Sequence, residues 1–291
     1  MFNVDKIKKE LESRGFDANS FDYLYNYLKS NDLLNKLSDY TNRLLKGEAV
    51  QYIIGNACFY GYEFKVNSNT LIPRFETELL VEKSVNYINN FFEDRVSILD
   101  IGTGTGLISL MMAQRCNAQI RAVDIDADAV EQARGNVAAS PWQDRIEVEL
   151  QDICHFTSET LFDVIVSNPP YFTDSLKCPE RQRNIARHTD LLDFDKLAES
   201  AARLLHSEGV FSVIIPADGK ESFLMAATRY GLHLSHQTLI HTKLGTEPRR
   251  VLLAFKFSVD KCITDDLTIE LSRHVYSEEY IALTKEFYLK M

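Results

Sequence analysis

Four consecutive residues carry the most specific chemistry in the chain: Asn168-Pro169-Pro170-Tyr171. They follow a short apolar run, residues 162–167, that reads as a buried strand. Two successive prolines remove two backbone donors and fix two φ angles, so the strand must end there. An amide, a carbonyl and an aromatic ring are thereby left at a strand's carboxyl end, where open α/β sheets place ligands. An amide or exocyclic amine nitrogen is a weak nucleophile because its lone pair is delocalised. Two acceptors aimed at its N–H bonds would draw it toward pyramidal geometry. The Asn168 side-chain oxygen and the Pro169 carbonyl can serve as those acceptors. Tyr171 can stack on the planar group and hold it in line. The chemistry that fits is methyl transfer to a planar nitrogen, driven by positioning and electrostatics rather than by a strong base.

A methyl donor needs its own cradle, and the sequence offers one upstream. Asp100 opens a D-x-G-x-G-x-G run: Gly102, Gly104 and Gly106, interleaved with Thr103 and Thr105. Glycines let the backbone approach a ligand closely. Asp124 ends the next strand, where a carboxylate can take both hydroxyls of a ribose. Asp152 ends the one after and can reach an adenine amino group, with Ile153 beside it. A G-x-G-x-G alone is shared by sites for NAD, FAD and S-adenosylmethionine. The acids at successive strand ends, together with Asn168-Pro169-Pro170-Tyr171, favour S-adenosylmethionine over a dehydrogenase cofactor.

These residues need an alternating framework to bring them together. From Ser97 onward the pattern predicts strand, glycine turn, helix 107–115, strand 119–124, helix 127–136, strands 145–150 and 162–167, helix 193–205, strand 210–216, helix 220–230, and strands 233–240 and 249–257. The expectation is an α/β, Rossmann-like sheet of seven mostly parallel strands, closed by a helical tail over 276–290. The domains expected are a helical docking unit (1–50), a β-hairpin linker (51–75) and the catalytic domain (76–291). In the linker, Gln51-Tyr52-Ile53-Ile54 and residues 59–66 are β-branched and aromatic and read as strands. Arg74, Glu76 and Glu78 open the next helix. Pattern alone favours a charged helix start there, with a site lining as the other reading. The basic segment 172–189, with Lys177, Arg181, Arg183 and Arg187, reads equally well as an anion contact and as a solvated loop.

Composition sets limits. The chain has 291 residues, 45% hydrophobic and 25% charged, enough for a real core. No run of about 18 apolar residues and no signal-peptide core is present, so a cytoplasmic protein without membrane spans is expected. The five cysteines are scattered, which argues for reduced thiols rather than a disulfide frame or zinc site; no metal is expected. A net charge of −10 disfavours non-specific grip on nucleic acid while leaving room for a local basic patch.

The glycine turn and Asn168-Pro169-Pro170-Tyr171 together resemble the class I S-adenosylmethionine-dependent methyltransferases that act on planar amino groups. Two families within that class are resembled by different parts. Residues 1 to about 95 look like release-factor glutamine N5-methyltransferases, through Gly47-Glu48-Ala49-Val50-Gln51-Tyr52, Phe59-Tyr60-Gly61 and Leu71-Ile72-Pro73-Arg74-Phe75-Glu76-Thr77-Glu78; that family usually has proline at the position of Phe75. From about 97 onward the chain is similar to tRNA1(Val) adenine-N6 methyltransferases, through Ser140-Pro141-Trp142, residues 171–179, Ala186-Arg187-His188-Thr189 and the tail from Tyr276. The chain reads as a hybrid joined near 95–102. The resemblance implies S-adenosylmethionine held by Asp100, Gly102, Thr103, Gly104, Thr105, Gly106, Asp124, Asp152, Ile153 and Asn168. It implies a substrate met by Asn168, Pro169, Pro170, Tyr171, Arg74 and Arg187. A tRNA adenine at N6 is the first reading of that substrate, the release-factor glutamine the second, and a non-catalytic binding protein the third.

Overall fold

The computed structural model describes residues 4–16, 19–59, 61–72, 75–92, 94–169, 193–259, 261–272 and 275–284. The chain divides into two compact units, Met1–Ile72 and Pro73–Met291.

The first unit is built from α1 (Val4–Ser13), α2 (Asn19–Ser30), α3 (Leu37–Leu45) and the short α4 (Val50–Ile54), followed by the hairpin β1 (Asn56–Phe59) and β2 (Tyr62–Lys65). In α2, Phe21, Leu24 and Leu28 fall on one face and are buried, as helical spacing requires. They pack with Leu11, Leu44 and Ile53 into a small core of the unit's own. Gln51–Ile54 was expected to be extended and is helical instead. Val50 and Ile53, three residues apart, turn into this core, and tertiary burial overrides the β-branched preference. Gly55, at φ 80°, ends the helix in a left-handed cap.

The second unit opens with α5 (Phe75–Phe91) and then follows the alternating order: β3 (Val96–Ile101), α6 (Leu107–Arg115), β4 (Ala118–Asp124), α7 (Ala127–Ala138), β5 (Ile146–Leu150), β6 (Phe162–Ser167), α8 (Phe194–Leu204), β7 (Leu205–Pro216), α9 (Lys220–Arg229), β8 (His233–Lys243), β9 (Arg250–Lys256), β10 (Ile263–Ser272), β11 (Val275–Tyr276) and α10 (Glu278–Thr284). The strands form one sheet in the order β11-β10-β8-β9-β7-β6-β3-β4-β5. Pairing is parallel from β5 through β7 and between β8 and β10, and antiparallel around β9 and at β11. The expected α/β architecture is present, and its seven strands are extended by two more.

The extra strands have a physical reason for escaping notice. β10 carries Asp265, Asp266 and Glu270, a composition that reads as loop. The charges are tolerated because neighbours answer them: Asp265 accepts from Lys83 Nζ at 2.8 Å and pairs with His236 at 2.7 Å, and Asp266 lies 3.0 Å from His241 Nε2. The tail is helical only over Glu278–Thr284 within the described residues, after the two-residue strand β11.

The sheet reverses its winding at β3, which pairs with β4 on one side and β6 on the other. Such a switch point opens a crevice at the strands' carboxyl ends. Register aligns what meets there. Ile101 pairs with both Val123 and Ser167, and Asp124 pairs with Leu150. Gly102, Asp124 and Asn168 therefore leave the sheet at neighbouring points of one edge. Beneath them, Ile98, Leu99, Val164, Ile165 and Val213 are essentially inaccessible. This core makes the edge a rigid mount.

Candidate active site

The turn after β3 is braced from below by Asp100. Its Oδ2 accepts from the Thr103 hydroxyl (2.7 Å), the Ser109 hydroxyl (2.7 Å) and the Ser109 main-chain N–H (3.2 Å). The turn and the first helical turn of α6 are thus tied to one buried carboxylate. Asp100 is wholly buried, so its part is to shape the turn rather than to reach a ligand itself. Burial pushes its carboxyl up to about 6, against the pull of the hydrogen bonds from Ser109 and Thr103. Oδ1 is buried without a hydrogen-bond partner among the described residues, which is part of that cost. Ser109 was not singled out from sequence, since a serine in an apolar helix carries no local sign of the contact.

Gly102, Gly104 and Gly106 all take positive φ (74°, 56° and 80°). A Cβ on Gly106 would sit 3.4 Å from the Ala133 Cβ, so that glycine serves helix packing. Among the described residues, a Cβ on Gly102 or Gly104 would meet nothing within 4 Å. Those two present bare backbone, the condition for a ligand to lie close to the main chain. Thr103 and Thr105 are buried, and the Thr105 carbonyl accepts from Asn136 Nδ2 at 2.9 Å.

Asp124 stands beside that backbone. Its Oδ2 accepts from Gly104 N–H (2.9 Å) and its Oδ1 from Asp126 N–H (3.0 Å). Burial raises its pKa above the ordinary carboxylate value, and those backbone donors oppose the rise. A carboxylate has about four lone-pair sites, more than these backbone donors fill, so it can still take a vicinal diol. Asp152 accepts from Cys154 N–H at 2.9 Å and lies 3.1 Å from His155 Nδ1. Partial burial pushes its carboxyl up, but the bonds from Cys154 and His155 outweigh this and hold it below the usual value. Ile153 puts its side chain into the core, 5% exposed.

On the other side of the switch point, Ser167 donates its hydroxyl to the Ile101 carbonyl at 2.9 Å, locking the end of β6 to the end of β3. Asn168 follows, half-buried, and its Nδ2 donates to Thr77 Oγ1 at 3.0 Å. Pro169 is buried. Pro170, Tyr171, Arg74 and Arg187, and the basic segment around Arg187, lie outside the described residues. Glu78, read as a helix-start charge, is fully buried and accepts from the Tyr280 hydroxyl at 3.1 Å. Among the described residues no cluster of three or more His, Cys, Asp or Glu side chains could hold a metal, and no helix is long and apolar enough to cross a membrane.

The glycine turn, Asp124 and the strand-end Asn168 thus converge on one edge of the sheet, beside bare backbone. The residues present fit S-adenosylmethionine. Comparison with known proteins agrees. The family described as the methyltransferase small domain matches residues 76–228. A tRNA1(Val) (adenine(37)-N6)-methyltransferase of Phocaeicola vulgatus is 93% identical over 195 residues, covering 67% of this chain and 83% of that protein. One of the same name from Bacteroides fragilis is 50% identical over 202 residues, covering 68% and 85%. Among solved structures, a predicted O-methyltransferase from Agrobacterium tumefaciens superposes with a TM-score of 0.52 at 20% identity, over 72% of this chain and 95% of that one; this likeness is one of fold. The chain belongs to the methyltransferase small-domain family and is a class I, S-adenosylmethionine-dependent methyltransferase.

Proposed function

We propose that the protein methylates N6 of an adenine in tRNA. The observation that carries this reading is the 93% identity with the tRNA1(Val) (adenine(37)-N6)-methyltransferase over 195 residues. The geometry supports it. Bound over Gly102 and Gly104, with its ribose on Asp124 and its adenine toward Asp152, S-adenosylmethionine would supply an electrophilic methyl group. Asn168 Oδ1 and the Pro169 carbonyl accept the two N–H bonds of the target amine, and Tyr171 stacks on its ring. Accepting both protons localises the nitrogen lone pair, so these residues act on the nucleophile and not by taking a proton outright. Arg187 and its basic neighbours contact phosphate, offsetting a net charge of −10. A cytoplasmic setting follows from a tRNA substrate.

A second reading has its own observation. The first unit, Met1–Ile72, has a separate core, and the relatives above match only about two thirds of this chain. The sequence of that unit resembles the docking domain of release-factor glutamine methyltransferases. A glutamine amide would satisfy the same two acceptors.

Labelled S-adenosylmethionine, incubated with the full chain and either unmodified tRNA or purified release factor, separates them. Label in adenine of tRNA supports the first reading. Label in release factor alone replaces it with the second, and label in neither overturns both. Binding of tRNA should weaken steeply with salt; a flat response counts against RNA.

A further inference from the structure

An amide is nearly symmetric in shape and opposite in chemistry at its two ends. Turned over, Asn168 would aim an NH2 group at the amine it is meant to hold, donor against donor. Something must therefore fix which end faces the substrate. We infer that Thr77 is that element: a positioning residue on α5 that anchors the Asn168 amide by its nitrogen and so presents Oδ1 for reaction.

The contact is direct and non-local. Nδ2 of Asn168 donates to Thr77 Oγ1 at 3.0 Å across 91 residues of sequence. In a planar amide this directs Oδ1 away from Thr77. The anchor is itself fixed. Thr77 is 3% exposed, and the following residues Leu79, Leu80 and Val81 are sealed in the core. Glu78, the adjacent residue, is tied by the Tyr280 hydroxyl of α10 at 3.1 Å. Six residues on, Lys83 pairs with Asp265 of β10 at 2.8 Å. The first half of α5 is held from two elements that follow the site in sequence, and Thr77 inherits that rigidity. A short polar side chain on such a mount can hold an amide within the tolerance that positioning demands.

This inference rests on the reading of Asn168 as an acceptor for the target amine, and its test separates the two. Steady-state kinetics are measured on the full chain with S-adenosylmethionine and unmodified tRNA transcript (or release factor, should that be the acceptor). Thr77→Val keeps the shape and removes the hydroxyl. The expected result is a kcat lower by roughly 10- to 100-fold, with KM for S-adenosylmethionine within about threefold and a melting temperature within about 4 °C of the parent. Thr77→Ser should restore most of the loss. Placed on Asn168→Ala, Thr77→Val should cost nothing further. A Thr77→Val enzyme with the parent kcat overturns the inference. So does one whose loss lies in the KM for S-adenosylmethionine, or one that Ser does not rescue. If Asn168→Ala also keeps full turnover, the reading of Asn168 has failed; if that variant is inactive while Thr77→Val is unaffected, only the role of Thr77 has.

Discussion

The two sides of the crevice are built differently. On the cofactor side, Asp100, Thr103 and Ser109 lie within nine residues of one another, and Gly104 reaches Asp124 only twenty residues on. One β-turn-α unit and the next strand supply those contacts. On the substrate side, Asn168 is anchored by Thr77, 91 residues earlier, and Thr77 is steadied through Tyr280, which follows Glu78 by 202. A site made by one local unit survives changes elsewhere. A site assembled from three distant segments exists only when the whole sheet is closed, because the entropy of bringing them together is met by the core. The same contrast suits a chain whose parts resemble two families. The cofactor half is self-contained, whereas Thr77–Asn168, Glu78–Tyr280 and Lys83–Asp265 all join a residue before 95 to one after 102.

Separating the halves gives the largest expected effect. Asn168→Ala should lower turnover by roughly 10³-fold while the affinity for S-adenosylmethionine, read by titration calorimetry, changes by no more than a few-fold. Equal losses in both would mean that the halves are not separable. Next comes the cost of the local brace. The Asp100 carboxyl, pushed up to about 6, binds a proton in the folded state at pH values where the unfolded chain has released it. Stability therefore falls as pH rises from about 4 to 6, by about 3 kcal/mol, and the full cost stands above that window. Asp100→Asn, measured by urea unfolding at pH 4.5 and 7, should remove that difference; an unchanged pH slope would show that the buried carboxylate does not carry it.

Smaller in effect, Asp124→Ala should weaken S-adenosylmethionine binding by roughly 10- to 100-fold, the loss of charge-assisted hydrogen bonds to two hydroxyls, with kcat at saturation little altered. A fall in kcat alone would move Asp124 to the other side of the comparison. The smallest effect belongs to the added edge of the sheet. His241 faces the Thr246 carbonyl at 2.6 Å and Asp266 at 3.0 Å. The carbonyl first, then the carboxylate, raises its pKa above the ordinary 6.5. Its contribution is complete below that value and is lost as pH rises through the folded-state pKa. His241→Gln should flatten the decline of melting temperature above pH about 6.5 and leave turnover intact. A loss of turnover would tie the edge strands to the site.

Much of this was legible because it is periodic or local. Helix Leu107–Arg115 and strand Phe162–Ser167 were read to the residue, since a glycine turn starts one and two prolines end the other. The glycine turn after β3 and the acids at or just past the ends of β4 and β5 follow from spacing alone. The failures share one cause. Gln51–Ile54 is helical because two of its side chains fit a helical core, and β10 is a strand because Lys83, His236 and His241 answer its acids. Both depend on partners outside the segment itself.

By itself, the sequence determined the fold class, the glycine turn after β3 and the amide placed at the end of β6. Turn chemistry and hydrophobic period act over a few residues, so a linear reading reaches them. The tertiary structure alone decided that the Asp100 carboxylate is buried beneath the turn, that Glu78 is a buried tie rather than a surface charge, and that Thr77 meets the nitrogen of Asn168. Those are matters of burial and of contacts between distant segments, and they come into being only when the sheet closes and water is excluded from its edge.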